Sequence, residues 1–452
     1  MARPDLVLTG GTVVSSTGAH RADLVVHQGR VAALQPSGSA CAAAQVIDVS
    51  GRYLLPGLID SHVHFRQPGL EHKEDWVHGS RAAVAGGVTT VIDMPNTRPP
   101  LSSPADAWTK HRLVDGASLV DYRFHAGVDP ADVSRVAAFT GREAGSVKVF
   151  LSGHHTAPEV VRDPVALDRI CGLLADRGLT MVCHAEHDDV FALLDRWRGE
   201  PGSARDYESH RPRTAGIVAV AQLIDLARRH GTRIHVLHVS GREEADLLTA
   251  AAAVGLPVSF EVTGHHLTFT DADIEGLGSL IRLRPAIRDP ADRDRLWQAV
   301  LERHALTVGS DHAPHTLAEK RRPAAQAPPG LPGVQELLAT LYTGLVARQP
   351  GAGPAQLLPI VVRLLAEGPA QLFKLEHRKG ALEPGRDADV VVFDPTRADP
   401  GAPRRIHAKC GWSAYSGLDF QGTVELTLRR GMVAYRRGTD EDFFGTPGGI
   451  WL

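Results

Sequence analysis

Eight short apolar runs, most of them followed by a stretch of helical periodicity, constrain what this 452-residue chain can fold into more than any other feature. The runs cover residues 57–65, 88–94, 122–128, 146–150, 179–186, 233–240, 257–263 and 305–311. Helical patterns fall at 76–86, 164–177, 214–230, 242–254 and 291–304. Strands that are apolar almost throughout belong in a sheet covered on both faces, and repeated strand–helix units make that sheet parallel. Eight units favour closure into an α/β barrel of the (β/α)8, TIM-like kind over a doubly wound open sheet.

The two ends read differently. Residues 1–56 are short strands and tight turns, with "DLVLTGGTVV" patterned as a hairpin across its Gly-Gly and "ADLVVHQGRVAAL" repeating the pattern. "ADVVVFDP" and "TVELTLRRGMVAYRRG" near the other end have the same character. A two-stranded piece alone is marginal, so the ends are expected to pack together as one small β-sandwich. The expected division is 1–56 and 380–452 for the sandwich and tail, with the barrel at 57–379. The Pro-rich "RRPAAQAPPGLPG" (321–333) cannot be strand or helix interior and is expected as a long surface loop over the barrel mouth. A second loop, "GHHTAPEVVRDP", follows the fourth strand, and its His154, His155 and Thr156 are expected to close over a substrate.

A formal net charge of -3 argues against nucleic acid or a membrane surface as a partner and leaves a small molecule. No apolar run is long enough for a membrane span, and the first residues lack a signal-peptide core. Cys41, Cys171, Cys183 and Cys410 form no CxxC pair, which suits a reducing cytoplasm. Oligomeric state is left open, a homo-oligomer included.

The unusual polar residues gather at the strand ends. His62 and His64 end the first run, Lys148 lies in the fourth, His184 and His238 lie near the ends of the fifth and sixth, and Asp311 ends the eighth. In a parallel barrel these ends converge on one face, and residues two apart share one side of a strand. Imidazoles and a carboxylate meeting there suit a divalent metal such as zinc. Lys148 as an unpaired buried ammonium is costly. Its neutral amine can react with CO2 to give a carbamate, an anion able to bridge two metals. His125 and His235, alone in their strands, read as core histidines. Arg66, two past the histidine pair, offers a planar fork for a carboxylate, and Asn96 and His315 fall on the same face.

These residues carry a resemblance. "GLIDSHVHFRQPG", "GGVTTVIDMPNTRPP", "KVFLSG", "CHAEH", "LHVS", "EVTGHH" and "GSDHAPHTLAEKRR" look like the cyclic amidohydrolases of the metal-dependent amidohydrolase superfamily, and within them the chain is most similar to the dihydroorotases. The resemblance implies a zinc centre of two ions per chain and the reversible hydrolysis of L-dihydroorotate to N-carbamoyl-L-aspartate in pyrimidine biosynthesis. It implies His62 and His64 as ligands of one metal and His184 and His238 as ligands of the other. Lys148 is then the N6-carboxylated bridge, and Asp311 is ligand and acid–base. Arg66, Asn96 and His315 match the residues that hold the substrate carboxylate. It also implies a cytoplasmic enzyme, with association with another pyrimidine-pathway enzyme left open.

Hydantoinases, dihydropyrimidinases and allantoinases usually lack the counterparts of Arg66 and Asn96, and allantoinases commonly have Ser and Cys in place of Ala313 and His315. Against the dihydroorotase pattern stand Gly264, where Pro is usual, and Arg284, where Asn is usual in a run that helps hold the ring. An allantoinase or hydantoinase/dihydropyrimidinase is therefore the alternative. A non-catalytic scaffold is a further one, with no need of Lys148 or Asp311.

Overall fold

The computed structural model describes residues 3–39, 43–153, 160–199, 202–401 and 404–452, and for 207–209 the backbone alone. The expected (β/α)8 barrel is present. Its strands are β1 (Leu58–Val63), β2 (Val88–Asp93), β3 (Asp121–Phe124, extended by Ala126–Gly127), β4 (Ser146–Phe150), β5 (Thr180–His184), β6 (Ile234–Val236), β7 (Val258–Thr263) and β8 (Thr307–Gly309). Each pairs in parallel with the next. The ring closes just past β8, where the His64 N–H donates to the His312 carbonyl at 2.8 Å and Val63 bridges His312. Every residue of β1, β2, β4 and β5 is buried, which is the double covering that their apolar sequences require.

The outer helices begin where the sequence supplies a side-chain acceptor. Asp75, Asp163 and Asp289 cap the helices Trp76–Ala85, Pro164–Arg177 and Pro290–Leu301 by accepting backbone N–H groups. Gly178, at φ +59°, ends the second of these in the left-handed conformation that glycine adopts without strain. No helix among the described residues is long and apolar enough to cross a membrane.

The two chain ends share one β layer beside the barrel: Val390–Asp394 pairs antiparallel with Tyr53–Pro56. The Gly-Gly of "DLVLTGGTVV" does not make the expected hairpin. Leu6–Thr9 pairs with Asp23–His27 and Gln45–Asp48, whereas Thr12–Ser15 pairs with Gly18–Arg21 and Tyr53–Pro56. The glycines instead carry the chain from one sheet of the sandwich to the other. Gly10 sits at φ +79°, and a Cβ there would lie 2.3 Å from Ser50 Oγ. Asp23 fixes the corner by accepting from the Gly10 N–H at 2.9 Å. Leu8, Leu24 and Val26 then pack with Val13, Leu54, Val390 and Leu428 in one buried apolar core.

The Pro-rich stretch also departs from expectation. Residues 321–326 are mainly exposed, but 327–334 are buried. Ala313 donates to the Leu331 carbonyl at 2.9 Å, so this half lines the barrel wall. Prolines leave carbonyls without partners in a regular ladder, and the buried Lys320 ammonium meets two of the resulting acceptors, Pro328 O at 2.9 Å and Gly330 O at 2.8 Å.

Candidate metal centre and anion subsite

At the carboxyl end of the barrel, the ligand atoms of His62, His64 and Asp311 lie within 4.8 Å of one another, and all three residues are buried. Both His62 Nε2 and His64 Nε2 stand 3.2 Å from Asp311 Oδ1. The other nitrogen of each ring is occupied. His62 Nδ1 donates to Glu261 Oε1 at 2.7 Å, and His64 Nδ1 donates to Asn96 Oδ1 at 2.7 Å. With Nδ1 carrying the proton, each Nε2 presents a lone pair to the same point as the Asp311 carboxylate, as metal ligation needs.

A second group adjoins the first, with the His62 and His238 rings 5.3 Å apart. His184 Nδ1 and His238 Nε2 face each other at 3.1 Å. Glu186 accepts from His184 Nε2 at 2.9 Å, which leaves Nδ1 as a lone pair. Lys148, 1% exposed, stands one strand away with its Nζ over the Phe150 ring at 4.7 Å. No hydrogen-bond or ion-pair partner meets that Nζ among the described residues. Burial brings the Lys148 ammonium down to about 8, which raises the share of neutral amine at physiological pH.

The electrostatics suit cations. Burial lowers His64 to about 3 and also lowers His184 and His238, so all three are neutral donors of lone pairs. Burial works against a charged His62, but the carboxylates of Glu261 and Asp311 outweigh it and push the ring up to about 9. A divalent cation at Nε2 would satisfy the same field. Burial also opposes ionisation of Asp311, yet His62 and His64 hold its carboxyl well below the usual range. Arg66, His238 and Asp311 all have positive φ, at 64°, 40° and 42°. Such backbone strain gathers at functional sites.

Arg66 is 1% exposed. Its Nε donates to Pro314 O at 3.4 Å, while Nη1 and Nη2 are buried with no hydrogen-bond partner among the described residues. Burial brings this guanidinium to about 10, still charged at neutral pH. A buried fork with both prongs free calls for an anion. The other two residues expected beside it are differently engaged. Asn96 turns its oxygen to His64. His315 accepts from Lys73 Nζ at 3.0 Å and donates from Nε2 to Pro329 O at 3.1 Å. Arg284 donates to the Gly153 carbonyl and so ties its own segment to the start of the loop after β4. His154, His155 and Thr156 of that loop lie outside the described residues.

His125 and His235 are satisfied core histidines. The first bonds Ser146 Oγ at 2.6 Å and Ser61 O at 2.9 Å, the second Ser259 Oγ at 2.8 Å and Thr307 Oγ1 at 3.1 Å. Sequence reasoning passed over Glu261, Glu186 and Lys73. Glu261 had a readable signal, a charge in mid-strand in "SFEVT", the same signal that singled out Lys148.

Glu244, behind the second group, yields a pH prediction. It accepts from the Gly241 N–H at 2.7 Å and from Ser240 Oγ at 3.3 Å. Burial, with the charge of Glu186 adding and Arg288 opposing, raises its carboxyl from 4.5 to about 7. A carboxyl with a raised folded-state value loses stability as pH climbs from the unfolded value to the folded one, because the unfolded chain gives up its proton first. Glu244→Gln removes that titration. In thermal melts its advantage over wild type should grow between about pH 4.5 and 7 and level off above. A constant difference across that range would refute the assignment.

Fold and site together define the class, a barrel hydrolase whose chemistry lies at the carboxyl ends of the strands. The chain matches the amidohydrolase family over residues 53–434, and it belongs to that family. It is 32% identical to an allantoinase of Deinococcus radiodurans across 99% of this chain and 98% of that one. It is 35% identical to a dihydroorotase of Halobacterium salinarum across 90% and 92%. Among solved structures, an L-hydantoinase (dihydropyrimidinase) from Arthrobacter aurescens superposes with a TM-score of 0.93 at 26% identity, with 99% of each chain covered. The activity common to these relatives is cyclic amide hydrolysis, and this chain is a cyclic amidohydrolase.

Proposed function

We propose that this chain catalyses the reversible hydrolysis of the ring amide of L-dihydroorotate to N-carbamoyl-L-aspartate, the dihydroorotase step of pyrimidine biosynthesis. The observation that carries the choice among cyclic amides is the Arg66 fork, buried beside Asp311 with both terminal nitrogens unpartnered among the described residues. Of the three substrate types named among the relatives, dihydroorotate carries the ring carboxylate that such a fork matches.

The donor set fits zinc. His62 and His64 would hold one ion with Asp311, and His184 and His238 the other. Lys148 would bridge them after its amine adds to CO2, forming an N–C bond and releasing one proton. Zinc supplies Lewis acidity that polarises the ring carbonyl and acidifies water. The protein does the rest. Asn96 and Glu261 keep the His64 and His62 rings turned to the centre. Asp311, held ionised, accepts the proton of the attacking water and delivers it to the ring nitrogen as the C–N bond breaks. Arg66 grips the carboxylate and places the carbonyl. Ring closure runs the same transfers backward. A cytoplasmic setting goes with this reading, since Cys171, Cys183 and Cys410 are free thiols.

The test supplies L-dihydroorotate, allantoin and hydantoin in parallel to one sample of measured metal content. About two zinc ions per chain with turnover of L-dihydroorotate is the expected result. Metal with turnover of allantoin or hydantoin alone would replace this reading with the neighbouring one. Folded protein with neither metal nor turnover would mean a scaffold.

A further inference from the structure

We infer that Glu261 is a positioning residue that holds the two halves of the metal centre in register. It lies in mid-β7 with no exposure. A single oxygen, Oε1, accepts both from His62 Nδ1 at 2.7 Å and from the backbone N–H of His238 at 3.1 Å. The first contact fixes the tautomer and direction of a ring in one half. The second pins the backbone of a ligand in the other half, at a position with the unfavourable φ of 40°. No other side-chain oxygen among the described residues bonds to both groups.

The second oxygen tells more. Oε2 is buried and has no hydrogen-bond partner among the described residues. It is pressed against Gly309 of β8, where a Cβ would lie 2.3 Å from Oε2 and 3.2 Å from His62 Cβ. The glycine of "VGSD" is thus the space that the carboxylate occupies. A buried carboxylate with one oxygen unmet is unfavourable by itself. A cation on the far nitrogen of His62 supplies the compensating charge. The negative charge of Glu261 therefore supports the loaded state of the site, where it faces the cation through the His62 ring. Hydrogen-bonded carboxylates behind metal-bound histidines typically govern affinity by about 10–100-fold.

This inference rests on the metal reading above, so its test reads zinc binding and stability rather than turnover. Wild type, E261Q and G309A, each full length, would be titrated with zinc against a chelator and melted in stripped and loaded forms. Glutamine keeps the size and an accepting oxygen and removes only the charge. The expected result is zinc binding about 10–100-fold weaker in E261Q, with the deficit in melting temperature against wild type larger in the loaded form than in the stripped form. G309A, which removes no ligand, should also weaken zinc binding by displacing the carboxylate. Equal zinc affinity in wild type and both variants would overturn the inference and leave the metal reading standing. So would E261Q melting lower by the same amount in both forms, the mark of a purely structural role. A wild-type chain that takes up no zinc would remove the metal reading, and this inference with it.

Discussion

Arg66→Ala should lower the turnover of L-dihydroorotate about 30- to 4,000-fold, the span that corresponds to the roughly 2–5 kcal/mol lost on breaking a buried, hydrogen-bonded charge pair. Zinc content should not change. The separation follows from where the groups point. Among the described residues Arg66 bonds only through Nε, to the Pro314 carbonyl, and leaves both terminal nitrogens open. His62, His64 and Asp311 are held by partners of their own, so the ligand set does not depend on the guanidinium. Arg66→Lys should restore little, because a single ammonium on a flexible stem cannot make the paired contacts of the fork. The control is a cyclic amide without a carboxylate: any basal hydrolysis of it should be indifferent to R66A. Steady-state kinetics with metal analysis on one preparation measure all of this. Loss of zinc along with activity would mean that Arg66 supports the centre rather than the substrate.

Much of this arrangement was legible in the chain, and the legible part has a common cause. Barrel strands are buried on both faces, so a polar residue within one is expensive and visible against its neighbours. His62, His64, Lys148, His184, His238 and Asp311 all stood out in that way, and parallel topology brings their strand ends together. What stayed hidden was direction. Asn96 and Arg66 were both assigned to the substrate carboxylate; the Arg66 fork is open among the described residues, and the Asn96 oxygen faces His64. Spacing along the chain places a residue on a face but does not choose its rotamer. His315 shows the same limit, for Lys73 arrives beside it from a turn far away in sequence. The Gly-Gly corner at Gly10 was misread because a hairpin and a crossing between sheets ask for the same permissive residue. Only the partners of the flanking strands separate the two. The Pro-rich stretch went wrong for a related reason: proline excludes regular structure, but it does not exclude burial when a group such as Lys320 supplies the missing donors.

Lys379→Met should destabilise the fold by about 3–5 kcal/mol, the usual consequence of removing one partner from a buried charged cluster. Lys379, 3% exposed, joins the barrel to the β layer. Its Nζ lies 2.6 Å from Asp121 Oδ2 at the start of β3, 2.7 Å from Asp389 Oδ2 and 3.0 Å from Asp387 Oδ2. Asp389 also takes the Thr89 hydroxyl of β2 at 3.0 Å and the Arg430 N–H at 2.7 Å, so the cluster bonds across both units. Methionine fills the same volume but leaves three carboxylates close together, with Arg430 still paired to Asp121 and Arg378 to Asp387 but no cation among all three. The pH dependence gives a second check. Burial opposes ionisation of Asp121, but Lys379 and Arg430 outweigh it and lower its carboxyl. Its stabilising effect is therefore present above the ordinary aspartate value of about 3.9 and lost as pH falls through the depressed one. In the variant the carboxylates gain from protonation instead, so the gap to wild type should be widest near pH 7 and should shrink on approach to pH 4. Adding Asp389→Asn to Lys379→Met should recover part of the loss at pH 7. Unfolding by urea at the two pH values measures each quantity, and a loss below about 1 kcal/mol at pH 7, within the range of an exposed pair, would show that the cluster does not join the two units energetically.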